Sequence, residues 1–233
     1  RVMASRLREW SEKRGLISDA QNGFRPGRST ADASQIVIRI NEEVVRKHGY
    51  KTEDECDGDC LAATLLDITK AYPRVCRPLL WAILHSKGVP SNAMRIIKGL
   101  HELTMYCVKG KEETSESWRP ERGLREGCPS SPILFNIFHN EVMRIAQTER
   151  EKEAVRTNKT CGIEWKWRPG NCFPPETINP TGRNIEKFLI TGSYFADDTT
   201  SMGNKNEITQ GTNIIKKIMN DFEEKCHDGK EER

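Results

Sequence analysis

Three aspartates stand where carboxylates are not expected. Asp67 ends an apolar run (ATLLD), and Asp197 and Asp198 lie side by side within YFADDTT. A carboxylate at the end of a buried strand is costly unless it is paired, hydrogen-bonded or bound to a metal. Carboxylates converging from two strands repel one another, and divalent cations relieve that repulsion. Hard oxygen donors of this kind suit Mg²⁺, which keeps waters and takes further ligands from phosphates. Two such ions about 3.5–4 Å apart clamp the attacking and leaving oxygens of an in-line phosphoryl transfer. Asp is also an ordinary turn residue, and on these two sites alone that reading stays open.

The elements that must position these aspartates are legible as patterns. Leu61–Leu66 followed by Asp67 and Ile68 reads as a buried strand. Residues 187–202 read as two strands around a turn at Ala196, Asp197 and Asp198. Residues 29–47 form an amphipathic helix with Ala33, Ile36, Val37, Ile40 and Val44 at helical spacing, and Ser29 and Asp32 match a capping box. Residues 1–15 also read as helical. Pro78 begins a helix that Gly88 and Pro90 stop, and Ser91 caps another to about Leu103. A hairpin is expected from MYCVK and TSESW. Ser131-Pro132 opens a long helix to about Glu153, with Leu134, Ile137, Phe138, Val142 and Ile145 inward. The last helix spans residues 207–225, with Ile214, Ile215, Ile218 and Phe222 inward. Residues 154–184, with Trp165, Trp167 and Pro169, Pro174, Pro175 and Pro180, read as an irregular insertion. Helices and strands alternate with hairpins among them, which predicts an α+β layered domain.

Composition sets the outer limits. The chain has 233 residues, 36% hydrophobic and 30% charged, with 37 basic and 34 acidic side chains and a net charge of +3. That is a polar globular composition, and no apolar run approaches the roughly 20 residues of a membrane span. A charge of +3 by itself does not argue for nucleic acid. Charge is uneven, however: residues 1–28 are basic and residues 53–59 (EDECDGD) are acidic. A calcium loop starting at Glu53 would need a bidentate Glu where Thr64 stands, so a solvated acidic insertion is expected. The eight cysteines form no CxxC pair. Reduced, mostly buried intracellular thiols are expected, with a zinc knuckle of Cys161, Cys172 and a distant His as the alternative. The chain begins inside a helical pattern and ends in a charged run, which reads as a piece of a longer polypeptide.

Four stretches must be taken together: QNGFRPGRST (21–30), LLDITKAYPRV (65–75), GLREGCPSSPILFN (123–136) and YFADDT (194–199). Their order and spacing resemble the reverse transcriptase domain of non-LTR (LINE-type) retrotransposons. The resemblance implies a right-hand polymerase palm, a small antiparallel sheet backed by helices, over 61–233, with partial fingers over 1–60 and no thumb or endonuclease domain. It implies two Mg²⁺ ions, with Mn²⁺ as a substitute, held by Asp67, the Ile68 carbonyl, Asp197 and Asp198. Tyr72 would be the aromatic gate under the sugar that excludes a 2′-OH, core packing being its other reading. Arg25 would approach the triphosphate, the other reading being a surface arginine. Gly127, Cys128 and Pro129 would shape the turn beside the nascent base pair. Lys230 would protonate the leaving pyrophosphate, a solvated lysine being the alternative.

The implied activity is RNA-directed DNA synthesis, with an RNA template, a DNA primer and dNTP as partners. The chain would work beside thumb and endonuclease domains of one polyprotein, in the nucleus or a cytoplasmic ribonucleoprotein. Two positions depart from the family pattern: Glu126 stands where Gln is usual, and Pro73 where Asp often follows the gate. The competing readings are a decayed or domesticated RNA-binding copy, a group II intron-type enzyme sharing GFRPGRS, and an RNA-dependent RNA polymerase. The GCPSSP and FADD wording favours the LINE type, and Tyr72 disfavours the RNA polymerase.

Overall fold

The computed structural model describes residues 1–49, 60–159, 161–167, 186–224 and 226. The acidic stretch at 53–59, most of the 154–184 insertion, Cys172 and Lys230 lie outside the described residues.

Local chemistry accounts for most element boundaries. Helix α1 spans Val2–Lys13 and helix α2 Thr30–His48. The α2 capping box forms as the sequence requires: Asp32 N–H donates to Ser29 Oγ, and Asp32 Oδ2 accepts from Ser29 N–H at 2.6 Å. Arg46, Lys47 and His48 in its last turn complement the helix dipole. Strand β1 (Leu61–Leu66) leads into the short helix α3 (Ala71–Arg74), then α4 (Arg77–Ser86) and α5 (Ser91–Glu102). Pro90 rather than Ser91 occupies the cap of α5. The expected hairpin is reduced to two isolated bridges, Tyr106 with Trp118 and Lys109 with Thr114.

Helix α6 (Ser131–Thr157) is the central element and runs four residues past the expected end. Leu134, Phe135, Phe138 and Val142 are fully buried, and Ser131, Asn136 and His139 are buried beside them. Its first half is thus enclosed by the domain. Its second half is charged and laced by i,i+3 pairs such as Glu141–Arg144 and Glu153–Arg156. Helix α7 (Lys205–Asp221) packs on α6 and contributes Ile215 and Met219 to the core.

The region around the aspartate pair holds three strands where two were expected. They are β3 (Glu186–Ile190), β4 (Gly192–Phe195) and β5 (Asp198–Asn204). Strand β2 (Ile163–Trp167) pairs antiparallel with β3, from Ile163–Ile190 to Trp167–Glu186. The flank of the insertion is therefore a two-stranded ribbon rather than irregular chain. The main sheet has the order β1-β5-β4, antiparallel throughout, with α7 packed on β5 and β1 and α2 against β4. Helices back a small antiparallel sheet, the α+β layering the patterns predict.

The cysteines depart from expectation. Cys60 is disulfide-bonded. Among the free thiols of the described residues only Cys161 is buried, and Cys107 is exposed. No group of three His, Cys, Asp or Glu side chains among the described residues is gathered closely enough to form a metal cage.

Candidate active site

Sheet register brings the three aspartates to one end of the sheet. The β1–β5 ladder runs from Leu61–Asn204 to Leu66–Thr199. Asp67 is the next residue on one strand and Asp198 the next on the other, about one strand spacing (~4.8 Å) apart. Phe195 pairs with Asp198 across β4–β5, so Ala196 and Asp197 form the two-residue turn between them. Asp67 and Asp197 are half-buried and Asp198 is exposed. These oxygens do not form a closed cage. A set of two or three hard donors, open on one side, fits Mg²⁺ that completes its shell with water and phosphate.

Tyr72 sits on α3, five residues beyond Asp67. Its ring stacks on Phe135, with centroids 5.3 Å apart. Phe135 stacks in turn on His139 at 5.6 Å, and His139 meets Tyr194 edge-on at 6.3 Å. An aromatic ladder thus runs beneath the site from α3 to β4. Burial, and then the nearby Asp197 charge, push the Tyr72 phenol up to about 12. Tyr72 therefore carries its proton at neutral pH and shares its surroundings with Asp197.

The loop before α6 docks on the turn after β1. Gly123 N–H donates to the Val75 carbonyl at 2.9 Å, and Leu124 N–H to the Tyr72 carbonyl at 2.8 Å. A side chain at Gly123 would lie 2.6 Å from the Pro73 carbonyl oxygen, and the residue has φ +85°. Glycine is required there by close approach and by conformation. Gly127 and Pro129 are exposed further along this loop, and Gly127 (φ +73°) faces open space. Glu126 is exposed too, while the nearby Arg122 pairs with Glu223 at 2.6 Å. Burial alone would raise the Cys128 thiol, but hydrogen bonds with Ser130 and Ser131 and the charge of Arg125 carry it below its ordinary value.

Two of the expected residues have engagements of their own. Ile68 is buried and bridges to Cys226, so the chain beyond α7 runs beside its backbone. Arg25, expected at the triphosphate, is tied within its own segment. Its Nε and Nη2 donate to both oxygens of Glu12 at 3.0 and 2.7 Å. Its Nη1 donates to the Ser18 and Gln21 carbonyls at 2.8 and 3.2 Å. The side chain is only 8% exposed, and hydrogen bonding to Arg25 holds the Glu12 carboxyl below the usual range. Arg25 is not a surface arginine in this arrangement, and contact with phosphate would require it to exchange partners.

The residues that sequence reading missed lie behind the aspartates. Gln21 Nε2 donates to the Ala196 carbonyl at 3.0 Å, and its Oε1 accepts from Ala196 N–H at 2.9 Å and Gly23 N–H at 2.8 Å. Tyr194 N–H donates to the Ala20 carbonyl and Asn22 N–H to the Tyr194 carbonyl, both at 2.8 Å. A second buried group joins α6 to the chain end: His139 Nδ1 lies 3.0 Å from Glu224 Oε2, and its Nε2 3.3 Å from Thr199 Oγ1. The sequence signal for Gln21 was its place in QNGFRPGRST, where only the arginine carried a role.

Residues 1–230 match the family described as reverse transcriptase (RNA-dependent DNA polymerase). The chain belongs to the reverse transcriptase family. Its curated relatives are non-LTR retrotransposon polyproteins. The Pol polyprotein of the type-2 retrotransposable element R2DM of Drosophila melanogaster is 28% identical over 129 residues, 55% of this chain and 11% of that one. The Pol polyprotein of the type-1 element R2 of Nasonia vitripennis is 25% identical over 144 residues, 62% of this chain and 13% of that one. The probable RNA-directed DNA polymerase from transposon BS of Drosophila melanogaster is 24% identical over 138 residues, 59% and 14% of the two chains. The matched stretches are thus a small part of the relatives' length. Among solved structures, telomerase from Candida albicans, in complex with a telomeric RNA fragment, matches with a TM-score of 0.62 at 11% identity. That match covers 99% of this chain and 34% of that one. The fold is the polymerase palm that the four stretches imply.

Proposed function

We propose that this reverse transcriptase domain carries out RNA-templated DNA synthesis, joining a dNTP to a primer 3′-OH with release of pyrophosphate. The observation that carries the reading is the register that sets Asp67 beside Asp198, with Asp197 in the β4–β5 turn near Tyr72. When bound, a pair of divalent ions, Mg²⁺ or in its place Mn²⁺, supplies the neutralisation of charge on the reacting phosphate. Asp67, Asp197 and Asp198 would hold that pair, with the Ile68 carbonyl as a further oxygen donor. The protein's own contribution is largely positioning. The loop at Gly127–Pro129 borders the nascent base pair, and the Tyr72 ring, braced by Phe135, forms the floor under the sugar.

The template–primer is gripped through backbone charge and shape rather than sequence. Residues 1–60 act as part of the fingers and 61–233 as the palm. The working protein includes further domains, a thumb and an endonuclease among them, and acts in the nucleus or a cytoplasmic ribonucleoprotein. No helix among the described residues is long and apolar enough to cross a membrane.

Sugar discrimination tests the reading. Tyr72→Val opens the space under the sugar, and the dNTP-over-rNTP preference should fall by roughly 10-fold or more, since a steric contact of this size is worth ~1–3 kcal/mol. Competitive incorporation from mixed dNTP and rNTP pools measures it. An unchanged ratio would remove Tyr72 from the gate role.

A further inference from the structure

We propose that Gln21 is a positioning residue for the aspartate hairpin: its carboxamide clamps the Ala196 turn and so fixes where Asp197 and Asp198 stand. The proposal rests on the reading of these aspartates as a divalent-metal centre. Ala196 has φ +58°, the left-handed region that a residue with a Cβ adopts only at a cost. The turn it opens contains Asp197. A turn held in an unfavoured conformation needs outside support to keep a single geometry.

Gln21 provides that support from a segment 175 residues away in sequence. One carboxamide satisfies both the N–H and the carbonyl of Ala196, pairing both backbone groups of the turn's first residue with a single side chain. The same Oε1 also takes the Gly23 N–H, which fixes the amide's orientation. Gln21 is 2% exposed, so water does not compete for these bonds. The backbone beside it adds two bonds to Tyr194, and Asn136 of α6 donates to the Gly23 carbonyl at 2.7 Å. Close approach is enforced at Gly23, where a Cβ would lie 2.2 Å from the Ala196 nitrogen. Nothing in this arrangement touches the reacting atoms. Its output is the location of two carboxylates, and supports of this kind are worth about 10–100-fold in metal affinity.

The test compares the full chain with Gln21→Met, which keeps the side-chain length and removes the amide, and with Gln21→Glu, which keeps the acceptor toward Ala196 and Gly23 but loses the donor. Asp197→Asn is the control. Amide hydrogen exchange at 194–199 is read by mass spectrometry without metal, and Mn²⁺ affinity by electron paramagnetic resonance. Exchange in the hairpin should rise by about 10-fold or more, and Mn²⁺ affinity should fall by about 10-fold or more. Adding Ala196→Gly to Gln21→Met relieves the left-handed strain. Melting temperature should then recover while Mn²⁺ affinity stays low. Affinity that returns with Ala196→Gly, or hairpin exchange unchanged in both Gln21 variants, overturns the proposal. If Gln21→Met does not fold, Gln21→Glu carries the comparison. Equal Mn²⁺ binding by the unmodified chain and Asp197→Asn, with faster hairpin exchange in the Gln21 variants, overturns the metal reading and leaves the clamp standing.

Discussion

Asp197→Asn should lower Mg²⁺-dependent dNTP incorporation by roughly 10³-fold or more, a loss of about 4 kcal/mol of transition-state stabilisation. Asp197 occupies the turn between β4 and β5, one residue before Asp198, and is close enough to Tyr72 to oppose its ionisation. An amide keeps the size and one acceptor oxygen but removes the negative charge that draws a divalent ion. The hairpin backbone does not use the Asp197 side chain for its pairing, so the fold should survive. The loss should therefore fall on kcat with little effect on primer–template affinity, which depends on surfaces away from the turn. Primer extension and a filter-binding measurement on the same preparation of the full-length polypeptide separate the two. Near-unmodified extension by Asp197→Asn would sink the assignment of this residue.

His139→Phe should destabilise the domain by about 3–5 kcal/mol, because it leaves a buried acid without its partner. The His139 and Glu224 side chains are 1% and 0% exposed, and Glu224 Oε1 has no hydrogen-bond partner among the described residues. Among the described residues His139 is thus the carboxyl group's hydrogen-bonding contact, and it also reaches Thr199, next to Asp198 on β5. Phenylalanine preserves the stack on Phe135, so the change isolates the polar contact from the packing. Replacing both groups, as in His139→Phe with Glu224→Met, should recover much of the loss, since paired removal takes away the buried acid together with its partner and leaves only the Thr199 hydroxyl short of a contact. Urea unfolding of the two single variants and the double variant gives the coupling directly. A double variant as unstable as the sum of the singles would mean that the pair does not interact as drawn.

The parts of this molecule that were legible in sequence are those governed by near neighbours. Ser29 and Asp32 are three residues apart, so the α2 capping box could be read and is present. The apolar run of β1 and the close-set Asp pair gave the sheet end, because strand pattern and turn chemistry are short-range. The groups that hold the site together were not legible, because the chain brings their partners from far away. Gln21 meets Ala196 across 175 positions and His139 meets Glu224 across 85. No local pattern distinguishes either from an ordinary polar residue. Arg25 shows the same limit in reverse. Its type suited a phosphate, but Glu12, one helix away, engages it first. The ribbon of β2 and β3 joins the two sides of a proline-rich stretch, and composition alone gave that stretch the look of irregular chain.

Primer extension on an RNA template with a DNA primer, in Mg²⁺, tests the central claim most directly. The full-length polypeptide should add dNTPs in the order the template dictates, should use rNTPs far less well, and should stop when Mg²⁺ is chelated. Template-directed addition of rNTPs in preference to dNTPs, or tight RNA binding with no nucleotide added under any divalent ion, would contradict it.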